Sequence, residues 1–87
     1  MSNFWDQRYA VDEYVYGTEP SIYFKQVINN LKPGKLLVPG AGEGRDAVYA
    51  ASLGWEVHAF DQSSEGQRKA LMLAEKNNVN IKYETLN

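Results

Sequence analysis

The feature that most constrains this chain is a cluster of three glycines, Gly40-Ala41-Gly42-Glu43-Gly44. It stands directly after a short apolar run, Lys35-Leu36-Leu37-Val38, and directly before a helix-forming stretch, Arg45 to Leu53. An apolar run bounded by turn residues suits a buried parallel strand. Glycine lacks Cβ, so a loop built from it turns tightly and leaves bare backbone open to close approach. The helix that follows presents unpaired N–H groups and a partial positive charge at its start. Strand, glycine loop and helix in that order make a βα unit, and the rest of the chain must be laid out around it.

Upstream, Phe24, Val27, Ile28 and Leu31 fall at i, i+3, i+4 and i+7, one stripe of an amphipathic helix over Ser21 to Leu31. Asn29-Asn30 and Lys32-Pro33-Gly34 end it, because Pro33 cannot continue a helix and Gly34 accepts a positive φ. Downstream, Gly54 is a natural helix stop, and Trp55 to Phe60 reads as a second strand ending at Asp61. Ser63 or Ser64 is placed to cap a third helix, with Gln67 as the capping-box partner of Ser64. Ala70, Leu71 and Ala74 are its expected apolar face, and Asn77-Asn78 its end. Ile81 to Thr85 alternates as a third strand. The order predicts an α/β fold with a Rossmann-like parallel sheet, strand order 3-2-1 and the first strand at an edge, over residues 21–87. A leader over residues 1–20 precedes it, rich in aromatics (Phe4, Trp5, Tyr9, Tyr14, Tyr16), with Phe4, Arg8 and Tyr9 sharing one face of a short helix.

Composition narrows the function classes. A chain of 87 residues is one small domain, and at this size it buries only about 60–65% of its unfolded surface. The net charge of −2 and nine scattered basic residues argue against a nucleic-acid footprint, which needs clustered Lys and Arg. With no cysteine and a single histidine, His58, neither a disulfide framework nor a thiolate or histidine metal site is expected. The N-terminus lacks the basic-then-apolar pattern of a signal peptide, and no apolar run approaches membrane-spanning length. A cytoplasmic location with no membrane partner is the expectation.

The chemistry concentrates where the glycine loop meets Asp61 at the end of the second strand. An acidic group in that place accepts both hydroxyls of a ribose in doubly wound nucleotide-binding folds. A strand-end Asp before Gln62-Ser63-Ser64 also serves as an ordinary turn or cap residue. Two ligands suit the layout, a dinucleotide or S-adenosylmethionine. The dinucleotide pattern G-x-G-x-x-G would need its third glycine at Arg45. An arginine there does not by itself forbid a pyrophosphate, but its Cβ crowds the helix–strand packing that glycine permits. Glu43 stands either to touch the ligand or simply to complement the helix dipole. His58, alone in mid-strand, reads as structural, so no general base is apparent.

Leu37-Val38-Pro39-Gly40-Ala41-Gly42-Glu43-Gly44-Arg45-Asp46-Ala47-Val48, then Leu53-Gly54-Trp55-Glu56-Val57 and Phe60-Asp61-Gln62-Ser63, resemble class I S-adenosylmethionine-dependent methyltransferases. The similarity is greatest to the thiopurine and tellurite-resistance branch. Phe4-Trp5-Asp6-x-Arg8-Tyr9 and Tyr16-Gly17-Thr18-Glu19-Pro20-Ser21 resemble the leader of that group. Loop spacing and this resemblance together favour the methyl donor over a dinucleotide. The resemblance implies that Gly40, Ala41 and Gly42 line the methionine part of S-adenosylmethionine, that Asp61 holds the ribose hydroxyls, and that Gln62 sits beside the adenine. It implies that Trp5, Arg8 and Tyr16 belong to a leader folding over the pocket, where an aromatic face would attract a sulfonium. Plain core packing explains those aromatics equally well. Asn87 falls near a position that is acidic and beside the adenine in many relatives.

Val38 departs from the acidic residue that many relatives carry two places before the first glycine. The thiopurine-like branch shares that departure. The resemblance also covers only the front of such a domain. The expectation is therefore a truncated methyltransferase domain that captures S-adenosylmethionine, or its product S-adenosylhomocysteine, and by relationship transfers methyl to a small-molecule acceptor. Alone it is expected to be weakly active or inactive. The competing readings are a non-catalytic interaction or dimerisation module and an NAD-binding oxidoreductase fragment. An open edge on the first strand, Lys35 to Val38, predicts self-association.

Overall fold

The computed structural model describes Gln7, Tyr14 and residues 17–86. The short leader helix, Trp5, Arg8, Tyr16 and Asn87 lie outside the described residues.

Helix α1 spans Ile22–Ile28, strand β1 Lys35–Pro39, helix α2 Arg45–Ser52, strand β2 Glu56–Asp61, helix α3 Ser64–Lys76 and strand β3 Lys82–Thr85. The helices start and stop where local chemistry directs. The Ser21 hydroxyl accepts from the Phe24 N–H at 3.3 Å, satisfying one of the donors every helix start leaves unpaired. Ser63 caps α3 in the same way, accepting from Gly66 N–H at 3.0 Å. Of the two serines, Ser63 is therefore the cap, and Ser64 is the first residue of the helix. Gln67 turns to β3, where its Nε2 donates to the Tyr83 carbonyl at 3.1 Å and its Oε1 accepts from Thr85 Oγ1. Helix α3 ends at Asn77-Asn78, and Asn78 adopts a left-handed φ of 57°.

The three strands are parallel in the order β1-β2-β3, with β1 at an edge. This is the expected α/β topology. The register pairs Lys35 with Glu56, Val38 with Ala59, and Ala59 with Tyr83. Buried side chains Val57, Ala59 and Tyr83 cluster with Ile28 of α1, Ala47 and Ala50 of α2, and Ala70 of α3. The small residues let the helices lie close on the sheet. A second cluster, Val48, Leu73 and Ala74, receives Tyr14, Val79 and Ile81.

Three expectations about burial need correction. The first strand is not buried on both sides: Leu36 and Val38 are half-buried, while Leu37 is 67% exposed. The described helices pack against one face of the sheet only, so period-two alternation decides which β1 residues are covered. On α3 the apolar stripe is Ala70, Leu73 and Ala74, and Leu71 is exposed. Positions 70, 73 and 74 are i, i+3 and i+4, whereas i+1 points about 100° away. On α1, Ile28 is buried and Phe24 packs on the core, but Val27 and Leu31 of the expected stripe are largely exposed.

Candidate functional site: an anchored glycine loop

Strand β1 delivers the chain to Gly40, and the loop then departs from extended geometry at once. Gly40, Gly42 and Gly44 have φ of 62°, 55° and 86°, values that side chains with a Cβ rarely adopt. A Cβ built on Gly40 meets no atom within 4 Å. The missing side chain therefore leaves bare backbone facing open space, which is the property a ligand cradle needs. Gly44 is required for a second reason. A Cβ there would stand 2.5 Å from the Ala70 Cβ and 2.9 Å from the Ala70 Cα. The start of α2 and the middle of α3 touch at this point.

Gly42 is clamped from both sides. Its N–H donates to Asp61 Oδ2 at 2.7 Å, and its carbonyl accepts from the Tyr83 hydroxyl at 2.6 Å. Ala41 N–H donates to the Phe60 carbonyl at 2.9 Å, so the loop keeps one more bond to β2. Asp61 Oδ1 accepts from the N–H groups of Gln62 and Ser63 at 2.6 and 3.2 Å. Three backbone donors thus converge on one carboxylate. A carboxylate offers about four lone-pair sites, so room remains for a further donor. Gln62 is exposed beside it.

The loop forms one wall of a cleft of about 280 Å³, whose lining includes Gly17, Val38, Gly40, Ala41 and Gly42. The sequence-predicted residues Gly40, Ala41, Gly42, Asp61 and Gln62 therefore fall within one neighbourhood at the carboxyl ends of β1 and β2. Asp61 joins it through Gly42, and Gln62 follows directly. Trp5, Arg8 and Tyr16 lie outside the described residues, but Gly17, the next residue, lines the cleft. Two acidic residues line it as well. Asp46 accepts from the Ser21 N–H at 2.8 Å, tying α1 to α2, and Glu43 pairs with Lys69 at 2.7 Å. His58 is not in the cleft lining. It pairs with Glu84 at 2.7 Å and its ring lies 4.5 Å from that of Phe60.

Sequence reasoning missed Tyr83, Gly66 and Lys69. A Cβ on Gly66 would come within 2.8 Å of the Gly42 carbonyl oxygen, so α3 can pass under the loop only with glycine there. The overlooked signal was periodicity. Gly66 and Lys69 fall on the α3 stripe of Ala70, Leu73 and Ala74, and a lysine in a buried stripe needs a charged partner.

The tellurite resistance protein TehB family matches residues 2–87. No curated protein sequence matches the chain. Among solved structures, TehB from Haemophilus influenzae superposes with TM-score 0.71 at 21% identity, over 99% of this chain and 28% of that one. A protein studied in the conversion of a disulfide bond into a thioacetal group during echinomycin biosynthesis gives TM-score 0.85 at 20% identity, over 100% and 39%. The PH0226 protein from Pyrococcus horikoshii OT3 gives 0.58 at 25%, over 76% and 33%. The chain thus spans well under half the length of the solved chains it matches, and these likenesses concern the fold. With the family match covering nearly every residue, the chain belongs to the TehB tellurite-resistance methyltransferase family.

Proposed function

We propose that this chain forms the cofactor-holding part of an S-adenosylmethionine-dependent methyltransferase acting on a small-molecule acceptor. The observation that carries the reading is the glycine loop itself. Its bare backbone faces an open cleft, and its Gly42 peptide is held between Asp61 and Tyr83. Such a loop meets a ligand without first having to be ordered, which removes part of the cost of binding. In this reading Gly40, Ala41 and Gly42 line the methionine part, Asp61 turns its remaining acceptor capacity to the ribose hydroxyls, and Gln62 adjoins the adenine. Trp5, Arg8 and Tyr16 complete the pocket from the leader.

The cofactor supplies a methyl group already activated by a sulfonium, so the protein's task is to hold donor and acceptor in line. Both acidic residues at the cleft are engaged, Asp46 by Ser21 and Glu43 by Lys69. That favours an acceptor that needs no proton removed, such as a soft chalcogen nucleophile that is anionic near neutral pH. The family's name, which refers to tellurite, and the neighbour's disulfide chemistry point to the same class of atom.

Calorimetric titration with S-adenosylmethionine, S-adenosylhomocysteine and NAD tests the reading. Saturable binding of the first two, not displaced by NAD, is expected. Absence of heat and of any thermal shift at millimolar ligand would overturn it. Heat with NAD alone would favour the oxidoreductase reading. Binding without methyl transfer to thiols or to tellurite would favour a non-catalytic module.

A further inference from the structure

Lys69 and Glu43 are nearly inaccessible, with side-chain exposures of 2% and 3%, and their Nζ and Oε2 atoms are 2.7 Å apart. Lys69 is the largest fully buried side chain among the described residues. Burying two charges is costly, and a pair of well-packed apolar residues in the same space is often as stable or more so. Stability alone is therefore a weak reason for this pair. Its connections supply a better one. Glu43 lies between Gly42 and Gly44, so its side chain grips the loop at its middle. Lys69 neighbours Ala70, the residue against which Gly44 packs. The Lys69 ammonium also lies 5.3 Å from the Tyr14 ring centroid, and the Tyr14 hydroxyl donates to the Lys69 carbonyl at 2.7 Å. Three residues beyond Tyr14 is Gly17, which returns the chain to the cleft and whose N–H donates to the Tyr14 carbonyl at 3.1 Å.

We propose that Lys69 is the positioning residue of the glycine loop, holding the loop through Glu43 and holding Tyr14 through its own carbonyl and ammonium, so that seating of Tyr14 and seating of the loop favour each other. A ligand seated on the loop is then felt at Tyr14 and Gly17, and seating of Tyr14 raises affinity at the loop. Linkage requires the two effects to be equal in free energy. The part of this that concerns a ligand rests on the reading of the loop as an S-adenosylmethionine cradle. The part that concerns loop and Tyr14 does not.

Amide hydrogen exchange on the ligand-free full chain tests the second part. Lys69→Met should speed exchange at residues 40–44 and at Tyr14 and Gly17 by about tenfold or more while β2 stays protected, because local opening is uncoupled from global unfolding there. The doubly neutral variant Glu43→Gln with Lys69→Met removes both charges of the pair together, and it serves if the single variant does not fold. It should show the same pattern. Unchanged exchange at both segments, or an equal rise throughout the chain, would overturn the proposal. Titration tests the first part. Lys69→Met should weaken S-adenosylhomocysteine by about tenfold or more and adenosine much less, since adenosine lacks the methionine part that meets the loop. Equal weakening of both, or of neither, would overturn the link to the ligand. Failure of the wild-type chain to bind S-adenosylhomocysteine would instead overturn the proposed function, and the exchange result would still decide the role of Lys69.

Discussion

Gly44 is the residue at which the least substitution should do the most harm. Alanine there would have to adopt a φ of 86° and press a methyl group to 2.5 Å from the Ala70 Cβ. Backbone strain and overpacking each cost about 1–3 kcal/mol. Gly44→Ala should therefore lose about 2–6 kcal/mol in urea unfolding. Gly40→Ala meets no atom, so it should lose only the smaller strain cost while blocking the cleft. Comparing the two by unfolding and by ligand titration separates packing from binding at neighbouring glycines. Tyr14 makes a prediction in pH. Burial holds its phenol above the ordinary value of 10.0, and the charge of Glu43 adds to the effect, against an opposing pull from Arg68. A raised folded-state value means the unfolded chain loses this proton first. The stabilisation is thus complete below 10.0 and is lost as pH rises beyond it. Thermal midpoints measured upward from neutral pH should fall more steeply across that range in the wild type than in Tyr14→Phe.

At the scale of elements, the start of α1 and the end of α3 were legible because capping is local chemistry, whereas α1 stops at Ile28, short of the expected Leu31. A serine before an apolar periodic segment needs only its own next turn to act. Ser63 is fully buried and caps α3. Ser63→Ala should cost about 1–2 kcal/mol, at the upper end for a cap because no water can replace the lost acceptor. Ser21→Ala, at a half-buried cap with a longer bond of 3.3 Å, should cost less, about 0.5–1 kcal/mol. The choice between Ser63 and Ser64 was not legible. The structure places the cap on Ser63 and turns the Gln67 side chain to β3. The apolar face of α3 was misread at Leu71 for a related reason: hydrophobicity is a property of the residue, but facing the core is a property of the turn.

At the scale of the whole molecule, the described helices sit on one face of a three-stranded sheet, and among the described residues β1 pairs with β2 alone. Open edges with apolar side chains recruit other strands. We expect the 87-residue chain to associate with itself through β1. Light scattering should show a mass that rises with concentration, and Leu37→Lys should reduce it by placing a charge on the strand at a 67% exposed position. A single monomeric species at high concentration would count against this expectation.

Spacing alone was enough to specify the α/β order, the parallel sheet and the place of the glycine loop, because strand and helix periods and the turn preferences of Gly, Pro and Asn act within a few residues. The tertiary structure alone decided what anchors the loop. Asp61, Tyr83, Gly66 and Lys69 stand 19 to 41 positions from, or across an element from, the groups they hold at Gly42 and Glu43. Contacts at such separations depend on strand register and helix docking, which a periodic pattern leaves free. The loop's bare backbone was written locally in its glycines. Its rigidity comes from partners that meet only once the sheet and α3 have closed around it.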